Sequence, residues 1–145
     1  MPAPDQQPVI AIIALAANEA AEAGHSQIST GHLLIALSRF SERQDAPDAA
    51  AAKLLSQEFE QLGIEPRKFR RRLRAILSHR GDQAAVNTLH RSPQFKSVMT
   101  AAERAATEVN EPLTPALILR IAFASLGDDA SRVTPRSGDD IPSEL

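Results

Sequence analysis

Three groups of residues have types and spacings that invite a chemical reading. Histidine comes first, because imidazole serves as a base, a metal ligand or a hydrogen-bonding group. The four copies are His25, His32, His79 and His90. No two of them stand four apart on one helical stretch beside a carboxylate, so the spacing gives no metal site. His32 falls in the first turn of an expected helix. Its expected role is structural: packing there, or a hydrogen bond to the preceding loop. His25 follows Gly24 at a turn and is read the same way.

Hydroxyls and carboxylates come next. Ser29, Ser92 and Thr114 each precede a helical pattern and suit helix caps, and none lies in a G-x-S-x-G nucleophile elbow. The acids Glu19, Glu22, Glu58, Glu60, Glu103 and Glu108 fall on expected polar faces, not in a paired acid–base arrangement. The third group is cationic: Arg67, Lys68, Arg70, Arg71, Arg72 and Arg74 place 6 of the 16 Lys and Arg within eight positions. Such a helix can be a solvated face, can dock acidic proteins, or can neutralise phosphates. Phe69 is the one aromatic interleaved with it, and the pattern sends that ring inward. No catalytic constellation emerges, and no cofactor is implied.

Composition sets the frame for these groups. The chain has 145 residues, 43% hydrophobic and 3% aromatic, with 6 Gly and no Cys. That length suggests one domain. An alanine-rich, glycine-poor chain with few aromatics favours helices packed closely together. Without cysteine there is no disulfide, Cys-ligated zinc or thiol nucleophile. A net charge of −2 gives no global attraction to nucleic acid. The longest apolar run, Val9 to Ala17, is far short of the ~20 residues that span a bilayer. It also lacks a basic lead, so the expected location is the cytoplasm, away from membranes.

Periodicity divides the chain into six helices. The first runs from Pro8 towards a stop at Gly24, with Ile12, Ala16, Ala20 and Ala23 on one face. Residues 25–28 read as a short connection. Ser29 caps a second helix carrying Leu33, Leu34, Ala36, Leu37 and Phe40. Residues 41–48 read as a loop, and Asp48 as the cap of a third helix to Leu62. Its expected face is Ala51, Leu54, Leu55, Phe59 and Leu62, and Gly63 stops it. Pro66 opens a fourth helix with Phe69, Leu73, Ile76 and Leu77 inward. Residues 78–91 are ambiguous, with one extra turn expected at 84–89. Ser92-Pro93 and Thr114-Pro115 open the fifth and sixth helices, since proline's missing N–H is harmless in a first turn. Phe95, Val98, Ala102, Ala105, Ala106 and Val109 face inward on the fifth. Leu117, Ile118, Ile121, Ala122 and either Phe123 or Ala124 do so on the sixth, which Gly127 stops.

The chain also repeats itself. A shift of 85 residues lays Ile10–Phe40 on Phe95–Ser125 without a gap, matching Ala16, Ala17, Ala20 and Ala21 to Ala101, Ala102, Ala105 and Ala106. Ser29 then meets Thr114, and Leu33 meets Ile118. The small faces let neighbouring helices approach closely. Each alanine-rich helix is therefore expected to be central, and leucine at Ala20 or Ala105 to overpack it.

These residues together resemble a known family. Ala20-Ala21-x-x-Gly24-His25-x-x-Ile28-Ser29-Thr30-Gly31-His32-Leu33-Leu34-Ile35-Ala36-Leu37 resembles the Clp repeat, duplicated in the N-terminal domain of Clp AAA+ unfoldases. Lys53-Leu54-Leu55, Leu62-Gly63-Ile64, the basic helix that follows and Ser92-Pro93 fit as well. The resemblance covers residues 8–127. It implies an all-α, compact orthogonal helix bundle made of two pseudo-symmetric repeats. The repeats would span about 8–79 and about 92–127, after a flexible lead at 1–7 and before a polar tail at 128–145. In the family this module receives substrate proteins and adaptors for an ATP-dependent chaperone or protease and has no catalytic activity. The implied partners are thus proteins: substrate segments, an adaptor or a Clp ATPase subunit. A small helical nucleic-acid-binding regulator using 67–74 is the alternative.

The chain departs from the family pattern in three places. It has no G-x-x-x-x-G-K-[ST] phosphate loop, so it does not carry the motor by that mechanism. The expectation is a free-standing relative or the front of a longer protein. The second repeat lacks its closing helices, and the face they would cover is expected to fall to the tail, residues 82–90 or a partner chain. Finally, the family's acid before the helix histidine is Gly31 here, and Ala116 in the second repeat. The resemblance thus points to Gly31, His32, Pro115 and Ala116 as peptide or adaptor contacts. Arg67, Lys68, Arg71, Arg72 and Arg74 would form a basic docking face. Family members that read phosphoarginine engage its guanidinium with those two acids, a charge-assisted contact that neither Gly31 nor Ala116 can make. No phosphoarginine reading is expected.

Overall fold

A computed structural model describes residues 7–44, 48–78 and 90–126. The expected turn at 84–89, His79, Gly127 and the tail at 128–145 lie outside the described residues. Six helices and two very short strands follow in order: α1 (Gln7–Glu22), β1 (Gln27–Ile28), α2 (Thr30–Phe40), α3 (Ala49–Gln61), α4 (Pro66–Ser78), β2 (His90–Arg91), α5 (Pro93–Glu108) and α6 (Pro115–Ala124). The fold is all-α, as the alanine-rich, glycine-poor composition requires.

The centre is α2, not the alanine-rich helices. Every residue from His32 to Ser38 is buried, so the helix shows no solvent stripe. It packs chiefly against α1 and α4, and also touches α6, α5 and α3. Its own Phe40 ring is fully buried, and around it lie the fully buried rings of Phe59, Phe69 and Phe95. Phe69 meets Phe59 and Phe123 edge to face, at 6.0 and 6.5 Å, joining α4 to α3 and α6.

Alanine does bring α1 close to this centre, but along one row. Ala16 and Ala20 are fully buried, Ala17 is half-buried, and Ala21 and Ala23 are exposed. On α5 the buried pair is Ala102 and Ala106, with Ala105 half-buried and Ala101 exposed. The outward positions of Leu54 (58% exposed) and Val109 (61%) also correct the expected faces. On α3 it is Ala52 and Leu55 that face the core.

The internal repeat therefore has a one-residue step. In the alanine-rich helices the equivalent pairs are Ala16 with Ala102, and Ala20 with Ala106. Their end turns agree: His25 N–H donates to Ala20 O, and Glu111 N–H to Ala106 O, each at 2.9 Å. The residue reversing the chain is left-handed in both, Gly24 at φ 76° and Asn110 at φ 57°. The caps Ser29 and Thr114, by contrast, keep the spacing of 85. The connection is one residue shorter in the second repeat, and a gapless alignment absorbs that step into the wrong alanines.

The apolar face of α6 is covered by the first repeat. α3 packs against α6, and Arg120 reaches Glu58 at 3.0 Å. The tail and residues 82–89, also expected to cover this face, lie outside the described residues. Enlarging a fully buried alanine forces strain of about 1–3 kcal/mol. Ala20→Leu should lower the urea midpoint accordingly, whereas half-buried Ala105→Leu should cost less than Ala20→Leu. Equal losses at the two sites would contradict the corrected register.

Candidate groove between two helix starts

A parallel pairing brings two helix N-termini together. β1 pairs with β2 through Gln27↔His90 and Ile28↔Arg91, an element that periodicity could not announce. Ser92 N–H donates to Ile28 O at 3.0 Å, and His90 N–H to Ser26 O at 3.2 Å. Each two-residue strand runs straight into a cap, β1 into Ser29 and β2 into Ser92. Because the strands are parallel, α2 and α5 start side by side.

Both caps work as expected. Ser92 Oγ accepts from Phe95 N–H at 3.0 Å. Ser29 Oγ accepts from His32 N–H at 3.3 Å, and Ser29 N–H donates to His32 Nδ1 at 2.9 Å. This is a capping box with imidazole where Glu or Gln usually stands. Nδ1 therefore acts as acceptor, and the neutral ring carries its proton on Nε2. Burial, then the nearby His25, pulls the His32 pKa down to about 4, against a small opposing pull from Glu19. The two rings meet edge to face at 4.9 Å. The expected structural role of His32 is thus what the geometry displays, and His25 is buried beside it.

Between the helix starts lies a groove of about 560 Å³. His25, Ser29, Thr30, Gly31 and His32 line one side; Pro93, Gln94, Ser97 and Val98 line another. Leu73, Ile76 and Leu77 from α4, with Ser125 and Leu126 after α6, supply the rest. Its size suits a small ligand or a few peptide residues. Gly31 permits a close approach: a Cβ there would lie 3.1 Å from Leu77 Cδ1.

The expected site residues divide. Gly31 and His32 line the groove, whereas Pro115 and Ala116 do not; they open α6, capped by Thr114 Oγ1 accepting from Leu117 N–H at 3.2 Å. Leu73, Ile76 and Leu77 were legible as the inward face of α4 but not as a groove wall. Gln94 and Ser97 carried no signal at all.

The basic face is largely engaged with the fold. Arg67 and Arg70 hold Glu42 at 2.7 and 2.9 Å, and Arg74 holds Glu19 at 2.6 Å. Arg39 joins Glu19 at 3.2 Å. Glu19 and Glu58 are therefore buried partners of arginine rather than solvated polar-face residues. Burial alone would raise the Glu19 pKa, but the bonds and charge of Arg74, then Arg39, more than offset it and hold it below the usual carboxylate value. Glu42 behaves alike under Arg67 and Arg70. Arg71, Arg72 and Lys68 remain on the exposed side of α4. Among the described residues no group of three His, Asp or Glu is placed to hold a metal ion.

His32 sets a pH dependence. The unfolded ring takes a proton near pH 6.5 and the folded one near pH 4, so the unfolded chain binds more protons between those values. Stability should fall as pH drops from 6.5 towards 4, by on the order of 3 kcal/mol, and stay flat above 6.5 with respect to this group. Glu19 and Glu42, both lowered, lose their contribution only below about 4.5. Urea midpoints at pH 7, 5.5 and 4.5 should therefore slope in the wild type. They should slope less in His32→Gln, which keeps an acceptor for Ser29 N–H. Equal slopes would assign the effect elsewhere.

No described helix is long and apolar enough to cross a membrane. A search of curated proteins found no match. The model of the Clp repeat (R) N-terminal domain matches residues 6–119, which takes in α1 to α5 and the first half of α6. That match covers well over half of the chain, and the chain belongs to the Clp repeat N-terminal domain family.

Proposed function

We propose that this chain is a non-enzymatic protein-docking module, which receives substrate segments or adaptors for an ATP-dependent Clp chaperone or protease. The groove between the starts of α2 and α5 carries this reading. It joins an apolar wall (Leu73, Ile76, Leu77, Val98) to a rim of uncharged polar groups, the composition expected of a peptide site. The cations of α4 contribute steering of acidic partners rather than the main affinity. Because Arg67, Arg70 and Arg74 are held by Glu42 and Glu19, the nucleic-acid alternative is the weaker one.

The test is binding of a permanently unfolded, fluorescently labelled protein and of a Clp ATPase ring. Ser97 is exposed on α5 and lines the groove, so Ser97→Trp blocks it without touching the core. We expect wild-type binding to tolerate salt and to weaken about ten-fold or more in Ser97→Trp, at unchanged melting temperature. Binding to neither probe, or binding indifferent to Ser97→Trp, would overturn the assignment. Affinity for DNA that falls steeply with salt would favour the alternative.

Phosphoarginine recognition stands apart. Gly31 and Ala116 offer no carboxylate, so free phosphoarginine titrated into the domain should give no binding heat. Specific binding that disappears in Gly31→Trp would contradict this.

A further inference from the structure

Two buried polar atoms beside the groove have no hydrogen-bond partner among the described residues. Thr30 Oγ1 and His32 Nε2 are both closed to water and unbonded. The residues are 6% and 1% exposed, and both belong to the groove lining. Leaving such groups unpaired costs about 1–3 kcal/mol each, so a fold does not retain two at one place without consequence. Their chemistry is specific. Nδ1 of His32 is occupied by Ser29 N–H, which leaves Nε2–H as a donor only. The Thr30 hydroxyl can donate as well. The first turns of α2 and α5 face the same space and favour negative charge. Among the described residues no Asp, Glu, Lys or Arg lines the groove.

We propose, building on the docking role above, that the groove captures the free C-terminal carboxylate of a partner peptide whose last residue is apolar. The carboxylate accepts from Thr30 Oγ1–H and His32 Nε2–H, and the terminal side chain packs on Leu73, Leu77 and Val98. Spacing favours a chain terminus over an internal acid. Gly31 separates the two donor residues, and Leu77 comes within 3.1 Å of where its Cβ would stand. The apolar wall thus lies close against the backbone that joins the two donor residues. A C-terminal residue carries carboxylate and apolar side chain on one Cα, whereas an Asp or Glu needs a second residue for the apolar contact. Since both donor atoms are closed in the free domain, entry of the terminus parts the wall, and Leu77 is the side chain that yields. Where an acidic side chain before the histidine would repel an anion, Gly31 admits one.

The experiment is fluorescence polarisation with three short N-labelled peptides: one ending in Leu with a free carboxylate, its C-terminal amide, and an amidated version with an internal Asp-Leu. The free acid should bind at least about ten-fold tighter than either amide. Thr30→Val keeps the shape, removes the hydroxyl and should cost a similar factor, at equal or higher melting temperature because an unpaired group is lost. Should Thr30→Val fold poorly, the acid-against-amide comparison in the wild type still decides. Equal binding of acid and amide would overturn the proposal and leave a purely apolar groove. Equal binding of the internal Asp peptide would overturn the terminal assignment. Failure of all three peptides, while unfolded protein still binds in a Ser97-dependent way, would reject this inference but not the docking role.

Discussion

The enclosure of α2 is the constraint from which the rest follows. A helix buried on every side cannot be a surface element, so other helices must wrap it. α1 approaches through Ala16 and Ala20, where small side chains allow close packing. α4 lies on another side through Phe69 and Leu73, and its polar face then needs somewhere to go. The arginines answer this by clamping back onto Glu19 of α1 and onto Glu42 just beyond α2. Even Ser38, fully buried within α2, is satisfied: its hydroxyl donates to Ile35 O at 2.7 Å and accepts from Arg70 at 3.3 Å.

A buried helix still has to begin somewhere, and its first-turn amides have no partner within the helix. Here Ser29 and His32 complete the start from both sides. That arrangement spends one nitrogen of the imidazole on the backbone and leaves the other without a partner among the described residues. The parallel pairing of β1 with β2 then places the capped start of α5 beside it. Structural necessity and site chemistry thus share one residue. The histidine that closes the helix start also presents a donor beside the groove.

The alanine pattern shows how sequence reading goes wrong by one residue. The duplicated alanine pairs, the caps Ser29, Ser92 and Thr114 and the proline starts were legible, since each reflects local geometry, whereas Asp48, also expected to cap, makes no side-chain bond to the start of α3. The gapless shift of 85 rests mainly on alanine identities. The structure weighs burial instead, and the left-handed turns at Gly24 and Asn110 place the step in the connection. Glu19 and Glu58 were misread for a related reason. A helical pattern marks a carboxylate as polar, but it cannot see an arginine arriving from another helix.

By itself the sequence determined the helices, the capped starts of α2, α5 and α6, the stops at Gly24 and Gly63, the all-α class and the family resemblance. These depend on residues close together in the chain: a hydroxyl before a proline, a glycine after the last turn, apolar residues at helical spacing. Tertiary structure alone decided that α2 is central, that α3 covers α6, and that Gly31 and His32 share a groove with α5 rather than with Pro115 and Ala116. Those outcomes rest on contacts between residues far apart in the chain. A two-residue strand pairing, too short to leave any periodicity, brought the groove together.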